Sequence, residues 1–255
     1  HAVEVGVFSE EIIPVKISDE DVLSEDEAVR GNSTLEKLGT LRTVFSEEGT
    51  VTAGNASPLN DGASVVILAS KEYAENNNLP YLATIKEVTE VGIDPSIMGI
   101  APIKAIQKLT ERSGMNLSTI DLFEINEAFA ASSIVVSQEL QLDEEKVNIY
   151  GGAIALGHPI GASGARILTT LAYGLLREQK RYGIASLCIG GGLGLAVLLE
   201  ANMEQTHKDV QKKKFYQLTP SERRSQLIEK NVLTQETALI FQEQTLSEEL
   251  SDHMI

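Results

Sequence analysis

A single cysteine, Cys188, occurs in the 255 residues. An internal disulfide is therefore excluded, and a lone thiol suits a reducing compartment such as the cytoplasm. Basic residues are also scarce: 21 Lys and Arg face 37 Asp and Glu, a formal charge of −16. A surface that acidic repels phosphate backbones, so nucleic acid is not an expected partner. Apolar runs such as residues 65–69 and 167–176 stop far short of the ~20 residues that a membrane-spanning helix needs, so no membrane span is expected. Tryptophan is absent, and the chain opens on His1 with no charged and apolar leader behind it, so no secretory signal is read. What remains is ample for a core. Hydrophobic residues make up 42% of the chain, and at roughly 150 residues per domain the length predicts one large domain plus an appendage, or two small ones. The expectation is an acidic, soluble, cytoplasmic globular protein.

Neither end reads as a natural terminus. The chain soon enters an alternating apolar stretch, residues 11–17, and it stops at Asp252-His253-Met254-Ile255 inside a helix-like pattern with no cap. A segment of a longer polypeptide is expected. Glycine divides the sequence: eleven of the twenty lie in residues 151–200, and none follows Gly194. Residues 203–214 (M-E-Q-T-H-K-D-V-Q-K-K-K) are polar, lack apolar periodicity and end in three lysines, which is linker composition.

Before that linker, strand-like and helix-like patterns alternate. Short apolar runs predict strands at 62–70, 81–88, 121–125, 147–150, 182–188 and 193–200. Helical spacing predicts helices at 71–77, 102–113 (through Ile103, Ile106 and Leu109), 127–140 and 163–178. This alternation implies a layered α/β domain on a largely parallel sheet. The helix at 163–178 is apolar around most of its circumference, so it needs a covering layer on both sides. Residues 1–255 alone are then expected to expose an apolar patch over it. No internal repeat is visible. After the linker the pattern is helical: Thr219-Pro220-Ser221-Glu222 is a capping box with proline in the first turn, and Thr234 and Ser247 can cap two further helices. Three short helices in about 40 residues form too small a core to stand unaided.

Three clusters stand at or just beyond predicted strand ends, where α/β sheets place their sites: Asn126-Glu127-Ala128-Phe129, Gly157-His158-Pro159 and Cys188-Ile189-Gly190-Gly191-Gly192. Each residue has an ordinary reading beside its chemical one. His158 can be structural or a base, and Cys188 a core filler or a reactive thiol. Asn126 can be a helix cap or an amide that holds a water or polarises a carbonyl. The glycines after Cys188 can form a nest of N–H groups for an oxyanion.

Together the clusters resemble the thiolase family. The segment 148–164 (N-I-Y-G-G-A-I-A-L-G-H-P-I-G-A-S-G) is similar to its G-H-P signature, 183–196 to its carboxy-terminal cysteine signature, and 126–129 to its N-E-A-F motif. Residues 49–62 (G-T-V-T-A-G-N-A-S-P-L-N-D-G) resemble the block that contributes to coenzyme A binding. The resemblance implies the thiolase-like α/β fold, a layered mixed sheet with helices, with residues 1–202 corresponding to the end of the loop region and the carboxy-terminal domain. It implies Claisen chemistry on acyl-CoA thioesters, with acetyl-CoA, acetoacetyl-CoA and CoA as partners, a homo-oligomeric assembly, and neither metal nor cofactor for that reaction. By the same resemblance His158 takes the proton of a nucleophilic cysteine and helps hold a thioester oxyanion. Cys188 removes a proton from the second acetyl group, Asn126 holds a water of the oxyanion hole, and the Gly190 N–H stabilises the acyl oxyanion. Ser57, Met98 and Phe129 match positions lining the thioester channel, against ordinary readings as a turn serine and two core residues. A thiol beside a histidine and a nest is expected to have a lowered pKa.

The family's nucleophilic cysteine is absent, because Cys188 is the only one. The chain alone is therefore not expected to turn over. Residues 215–255 resemble the helical start of class II 3-hydroxy-3-methylglutaryl-CoA reductase and break off before its catalytic motifs, so NAD(P)H is expected only for the part not present. The order thiolase–linker–reductase implies a bifunctional mevalonate-pathway acetyl-CoA acetyltransferase. The alternatives are a degradative 3-ketoacyl-CoA thiolase and a non-catalytic acyl-CoA-binding protein of the same fold.

Overall fold

The computed structural model describes residues 1–203. The segment Ser70–Pro80 belongs to a different compact unit from His1–Ala69 and Tyr81–Met203. The linker and the reductase-like helices expected after residue 203 lie outside the described residues.

The chain begins with a turn of 3₁₀ helix, Val7–Glu10, and a two-stranded antiparallel ribbon of β1 (Val15–Lys16) and β2 (Val22–Leu23). Helix α1 (Leu35–Gly39) follows, its first turn capped by Thr34. Helix α2 (Lys71–Asn76) is capped by Ser70, whose hydroxyl accepts from the Tyr73 N–H. The main sheet has four strands in the order β3 (Ala83–Gly92), β6 (Leu193–Ala201), β5 (Tyr182–Ile189), β4 (Leu122–Ile125). Helices α3 (Ala101–Ser113), α4 (Ala130–Glu139), the single turn α5 (Ala153–Leu156) and α6 (Ser163–Arg177) complete the fold.

Alternation along the strands divides the core between the two faces of the sheet. Phe123, Ile125, Ile184, Ala196 and Leu198 meet Ile103, Ile106 and Leu109 of α3 and Val136 of α4. Leu122, Ala185 and Leu199 meet Ile167, Leu171 and Leu175 of α6. Ile106, Leu109, Ile167 and Leu175 are wholly buried, each worth about 1.5–3 kcal/mol of apolar transfer. The far side of α6 is covered by the chain's own first residues. Phe8 is buried and meets Tyr150 edge-on at 6.4 Å, Thr170 Oγ1 donates to Glu11 Oε2 at 2.7 Å, and Arg177 Nη2 donates to the Val7 carbonyl at 2.7 Å.

Several expectations need correction. The sheet is mixed and mainly antiparallel: β4–β5 is its one parallel pair, while β5–β6 and β3–β6 are antiparallel. The direction of β5–β6 follows from the tight turn Gly190-Gly191-Gly192, which makes a hairpin; an added Cβ at Gly192 (φ +87°) would sit 2.3 Å from the Ile93 carbonyl oxygen. Residues 62–70 form no strand. No ladder partner lies beside them, and Val65, Ile67 and Leu68 are exposed. Val66 and Leu68 line an open apolar groove together with Gly164, Ala165 and Leu168 of α6, so the apolar surface includes this part of the helix. Residues 147–150 make only one bridge, Val147 to Phe123. Helix α4 starts three residues later than expected, because Phe129 is extended (φ −143°, ψ 142°) and bridges Ala56. Strand β3 lies slightly downstream of the expected 81–88, at 83–92. The patterns at 71–77, 102–113, 121–125, 163–178, 182–188 and 193–200 form the expected elements to within a residue or two. Among the described residues no helix is long and apolar enough to cross a membrane.

Candidate active site

Strand β4 runs out at Ile125, and the next residue, Asn126, is 4% exposed, with its backbone N–H donating to the Ser186 carbonyl at 2.9 Å. A second amide holds this strand end in place. Asn148 accepts from the Ile125 N–H through Oδ1 and donates to the Ile125 carbonyl through Nδ2, both at 2.8 Å, so its side chain acts as a short neighbouring strand. Glu127 accepts from the Ile154 N–H at 3.2 Å and from Asn148 Nδ2 at 3.4 Å, tying the strand end to α5.

The turn after α5 delivers His158. Gly157 has φ +103°, and an added Cβ would lie 2.6 Å from Asn60 Oδ1, so only glycine fits. Asn60 Oδ1 accepts from the His158 N–H at 3.2 Å, and Leu59 bridges His158 in parallel register. His158 Nε2 lies 3.3 Å from Asn126 Nδ2, and His158 Nδ1 lies 2.6 Å from Ser163 Oγ at the start of α6. Asn126 Oδ1 is buried without a partner, an acceptor open to a bound donor. Burial lowers the imidazole pKa, and the nearby Arg166 charge lowers it further, so the ring is neutral at pH 7 with one basic nitrogen.

Cys188 is half-buried near the end of β5, opposite Gly194 of the hairpin. It makes no side-chain hydrogen bond to His158 or Asn126. Burial raises its thiol pKa, more than its backbone hydrogen bond lowers it. The expected lowering is therefore reversed in this structure: no positive group stands close enough to offset desolvation. Gly190 opens the hairpin turn, with nothing within 4 Å of an added Cβ. Gly190 is exposed, and packing does not demand glycine there.

Ser57 lies against the Asn126–Phe129 block, its N–H and hydroxyl both donating to the Ala128 carbonyl at 3.0 and 3.2 Å. Phe129 meets the exposed Phe45 edge-on at 5.9 Å. Met98 is half-buried in the 3₁₀ turn Pro95–Ile100, close in sequence to Ile93, whose N–H donates to the Gly192 carbonyl at 2.8 Å. The fold thus gathers Asn126, His158, Ser57 and Phe129 around one end of the sheet, and sets Cys188 and Gly190 at the end of the adjacent strand. Sequence reasoning missed Ser163, Asn60, Asn148 and Phe45. Ser163 and Asn60 stand inside blocks already singled out, but nothing local marks their contacts with His158. Among the described residues no group of three or more His, Cys, Asp or Glu side chains is arranged to hold a metal ion.

Residues 79–201 match the family description "Thiolase, C-terminal domain", and residues 1–72 match "Thiolase, N-terminal domain". The chain is 51% identical over 198 residues to a probable acetyl-CoA acyltransferase of Staphylococcus aureus (strain NCTC 8325 / PS 47), a match covering 76% of this chain and 50% of that protein. It is 49% identical over 202 residues to the acetyl-CoA acetyltransferase of Escherichia coli (strain K12), covering 78% and 51%. The crystal structure of the Bacillus anthracis acetyl-CoA acetyltransferase superposes with a TM-score of 0.76 at 48% identity, covering 78% of this chain and 52% of that one. Human mitochondrial 3-ketoacyl-CoA thiolase in complex with CoA gives 0.73 at 40% identity, covering 78% and 50%. The chain spans about half the length of the relatives it matches.

Proposed function

The chain belongs to the thiolase family and has its α/β fold, and on that premise we propose that it supplies the carboxy-terminal catalytic groups of an acetyl-CoA acetyltransferase. The reaction is the Claisen condensation of two acetyl-CoA to acetoacetyl-CoA and CoA. The observation that carries this reading is the pairing of His158 Nε2 with Asn126 Nδ2 at 3.3 Å beside the end of the cysteine strand. His158 Nε2 accepts and keeps the proton of a nucleophilic cysteine, whose sulfur attacks the first thioester carbonyl, and the CoA thiolate released takes the proton of the Cys188 thiol. Cys188, left as thiolate, then takes an α-proton from the second acetyl-CoA, and the resulting carbanion attacks the acyl carbonyl and displaces the cysteine thiolate, which recovers its proton from His158. Asn126, through a water on Oδ1, and His158 stabilise the enolate oxygen, and the Gly190 N–H stabilises the acyl oxyanion. Ser57, Met98 and Phe129 line the thioester channel.

The nucleophilic cysteine is not among these residues, since Cys188 is the only one in the chain. We read residues 1–202 as the loop-region end and carboxy-terminal domain, 203–214 as a linker, and 215–255 as the start of a reductase domain using NAD(P)H. Composition supports the linker, and the resemblance of residues 215–255 to that domain's start supports the reductase reading. The whole is then a cytoplasmic, homo-oligomeric mevalonate-pathway enzyme. Identities of 48–51% to acetyl-CoA acetyltransferases and an acyltransferase, against 40% to a 3-ketoacyl-CoA thiolase, favour the short acyl chain.

The test is co-expression of the chain with the amino-terminal half of an acetyl-CoA acetyltransferase. The pair should form acetoacetyl-CoA and carry labelled acetate on the amino-terminal cysteine, while the chain alone does neither. Acetyl label on Cys188, or turnover by the chain alone, would sink the assignment.

A further inference from the structure

Ser163 is the first residue of α6 and is wholly buried. Its hydroxyl has two neighbours: His158 Nδ1 at 2.6 Å and the Pro159 carbonyl at 3.0 Å. On the other edge of the ring, Asn126 Nδ2 stands 3.3 Å from Nε2. The proton inventory of these groups is short. An amide nitrogen only donates, so Nε2 accepts from Asn126. A neutral imidazole has one donor and one acceptor nitrogen, so Nδ1 carries the hydrogen. Nδ1–H can point only to Ser163 Oγ, which then accepts. The single hydroxyl hydrogen is left for the Pro159 carbonyl, four residues back along the chain, a usual partner for a serine at this place in a helix.

We propose that Ser163 is a positioning residue that fixes the Nδ1–H tautomer of His158 and so keeps Nε2 as the basic nitrogen facing Asn126. The row runs Asn126 Nδ2–H to Nε2, Nδ1–H to Ser163 Oγ, and Ser163 O–H to the Pro159 carbonyl. Its consequence for chemistry rests on the thiolase reading above. When a proton arrives at Nε2, the Nδ1–H already has its acceptor and the hydroxyl already has its own, so no group behind the ring must turn. With the Asn126 amide reversed, both ring bonds reverse: Nε2–H donates to Oδ1, and the hydroxyl donates to Nδ1, which takes its one hydrogen away from the Pro159 carbonyl. The ring would then present no base to the site until both groups turned. A hydroxyl can serve either direction, but a methyl or a methylene can serve neither.

Long-range ¹⁵N–¹H correlation spectra of the full chain labelled with ¹⁵N-histidine decide between the two rows, with His158 assigned by the signal lost in His158→Gln. The expected result at neutral pH is a protonated-type Nδ1 and an unprotonated-type Nε2. Ser163→Ala should move His158 toward a mixture of tautomers and lower its pKa, and Ser163→Thr should restore the wild-type pattern. In the chain paired with an amino-terminal thiolase half, Ser163→Ala should lower kcat about 10- to 100-fold, the range typical when a partner orienting a metal-bound histidine is removed, and leave KM nearly unchanged. A protonated Nε2 in the wild-type chain, or shifts averaged as in an unstructured peptide, overturns the proposal, and this spectrum is decisive even where a variant does not fold. The Nδ1–H signature in a pair with no acetyl transfer upholds the tautomer while sinking the proposed function.

Discussion

Replacing Glu124 with glutamine removes one ionisation from the interior at almost no change in size. Glu124 lies on β4, two residues before Asn126, and is 4% exposed. Burial is the main cause that raises its carboxyl pKa to about 8; Arg166 pulls it down, and Glu11 and Glu127 push it up. In an unfolded chain the same group titrates near 4.5. Between these two values the folded state holds a proton that the unfolded state has lost. Folding stability therefore falls as pH rises through this window, is fully present below about 4.5 and is level again above about 8. A span of about 3.5 pH units at 1.36 kcal/mol per unit amounts to ~5 kcal/mol, comparable with the net stability of a small domain. Urea unfolding of the wild-type and Glu124→Gln chains at pH 5, 6, 7, 8 and 9 reads this directly. Other shifted carboxyls, such as Glu11 (raised by burial) and Glu200 (held at about 2 by hydrogen bonds from Lys86 and Arg181), are present in both proteins and cancel in the difference. The variant should match the wild type at pH 5 and gain on it by several kcal/mol by pH 9. Curves that stay parallel to within about 1 kcal/mol across that range would refute a buried, protonated Glu124.

Cys188→Ser, in the chain paired with an amino-terminal half, should permit acylation by acetyl-CoA while slowing condensation sharply, because a hydroxyl is a far poorer base; surviving condensation would make Cys188 a core filler. The wild-type condensation rate should climb as pH rises above neutrality, since burial raises the thiol pKa, and a rate falling over that range would count against Cys188 as the base. His158→Ala should impair both acylation and condensation by about 10²–10³-fold each, measured as acetyl label on the enzyme and as acetoacetyl-CoA formed. Gly157→Ala should cost about 1–3 kcal/mol in backbone strain at φ +103° and push Asn60 off the His158 N–H. A urea midpoint within about 0.5 kcal/mol of wild type would show that the turn accommodates a side chain.

The amino-acid sequence by itself determined the elements whose contacts are local. Helices α3 and α6 follow from apolar residues three and four apart, and β5 and β6 from two apolar runs separated by three glycines. The chemistry-bearing blocks around Asn126, His158 and Cys188 were legible for the same reason: each is a short contiguous string whose residue types limit what it can do. Tertiary structure alone decided the rest. Residues 62–70 read as a strand because β-branched residues dominate there, yet a strand exists only where a neighbour completes its ladder, and no described strand pairs with them. The antiparallel direction of β5–β6 came from the hairpin at Gly190–Gly192, and that of β3–β6 from a long-range pairing, neither of which strand–helix alternation encodes. Whether Cys188 is acidic or not depends on desolvation by side chains distant in sequence. The row from Asn126 through His158 to Ser163 joins residues 32 and five positions apart. No periodicity spans those intervals, and only the closure of β4 against the loop before α6 brings donor, ring and hydroxyl within hydrogen-bond reach.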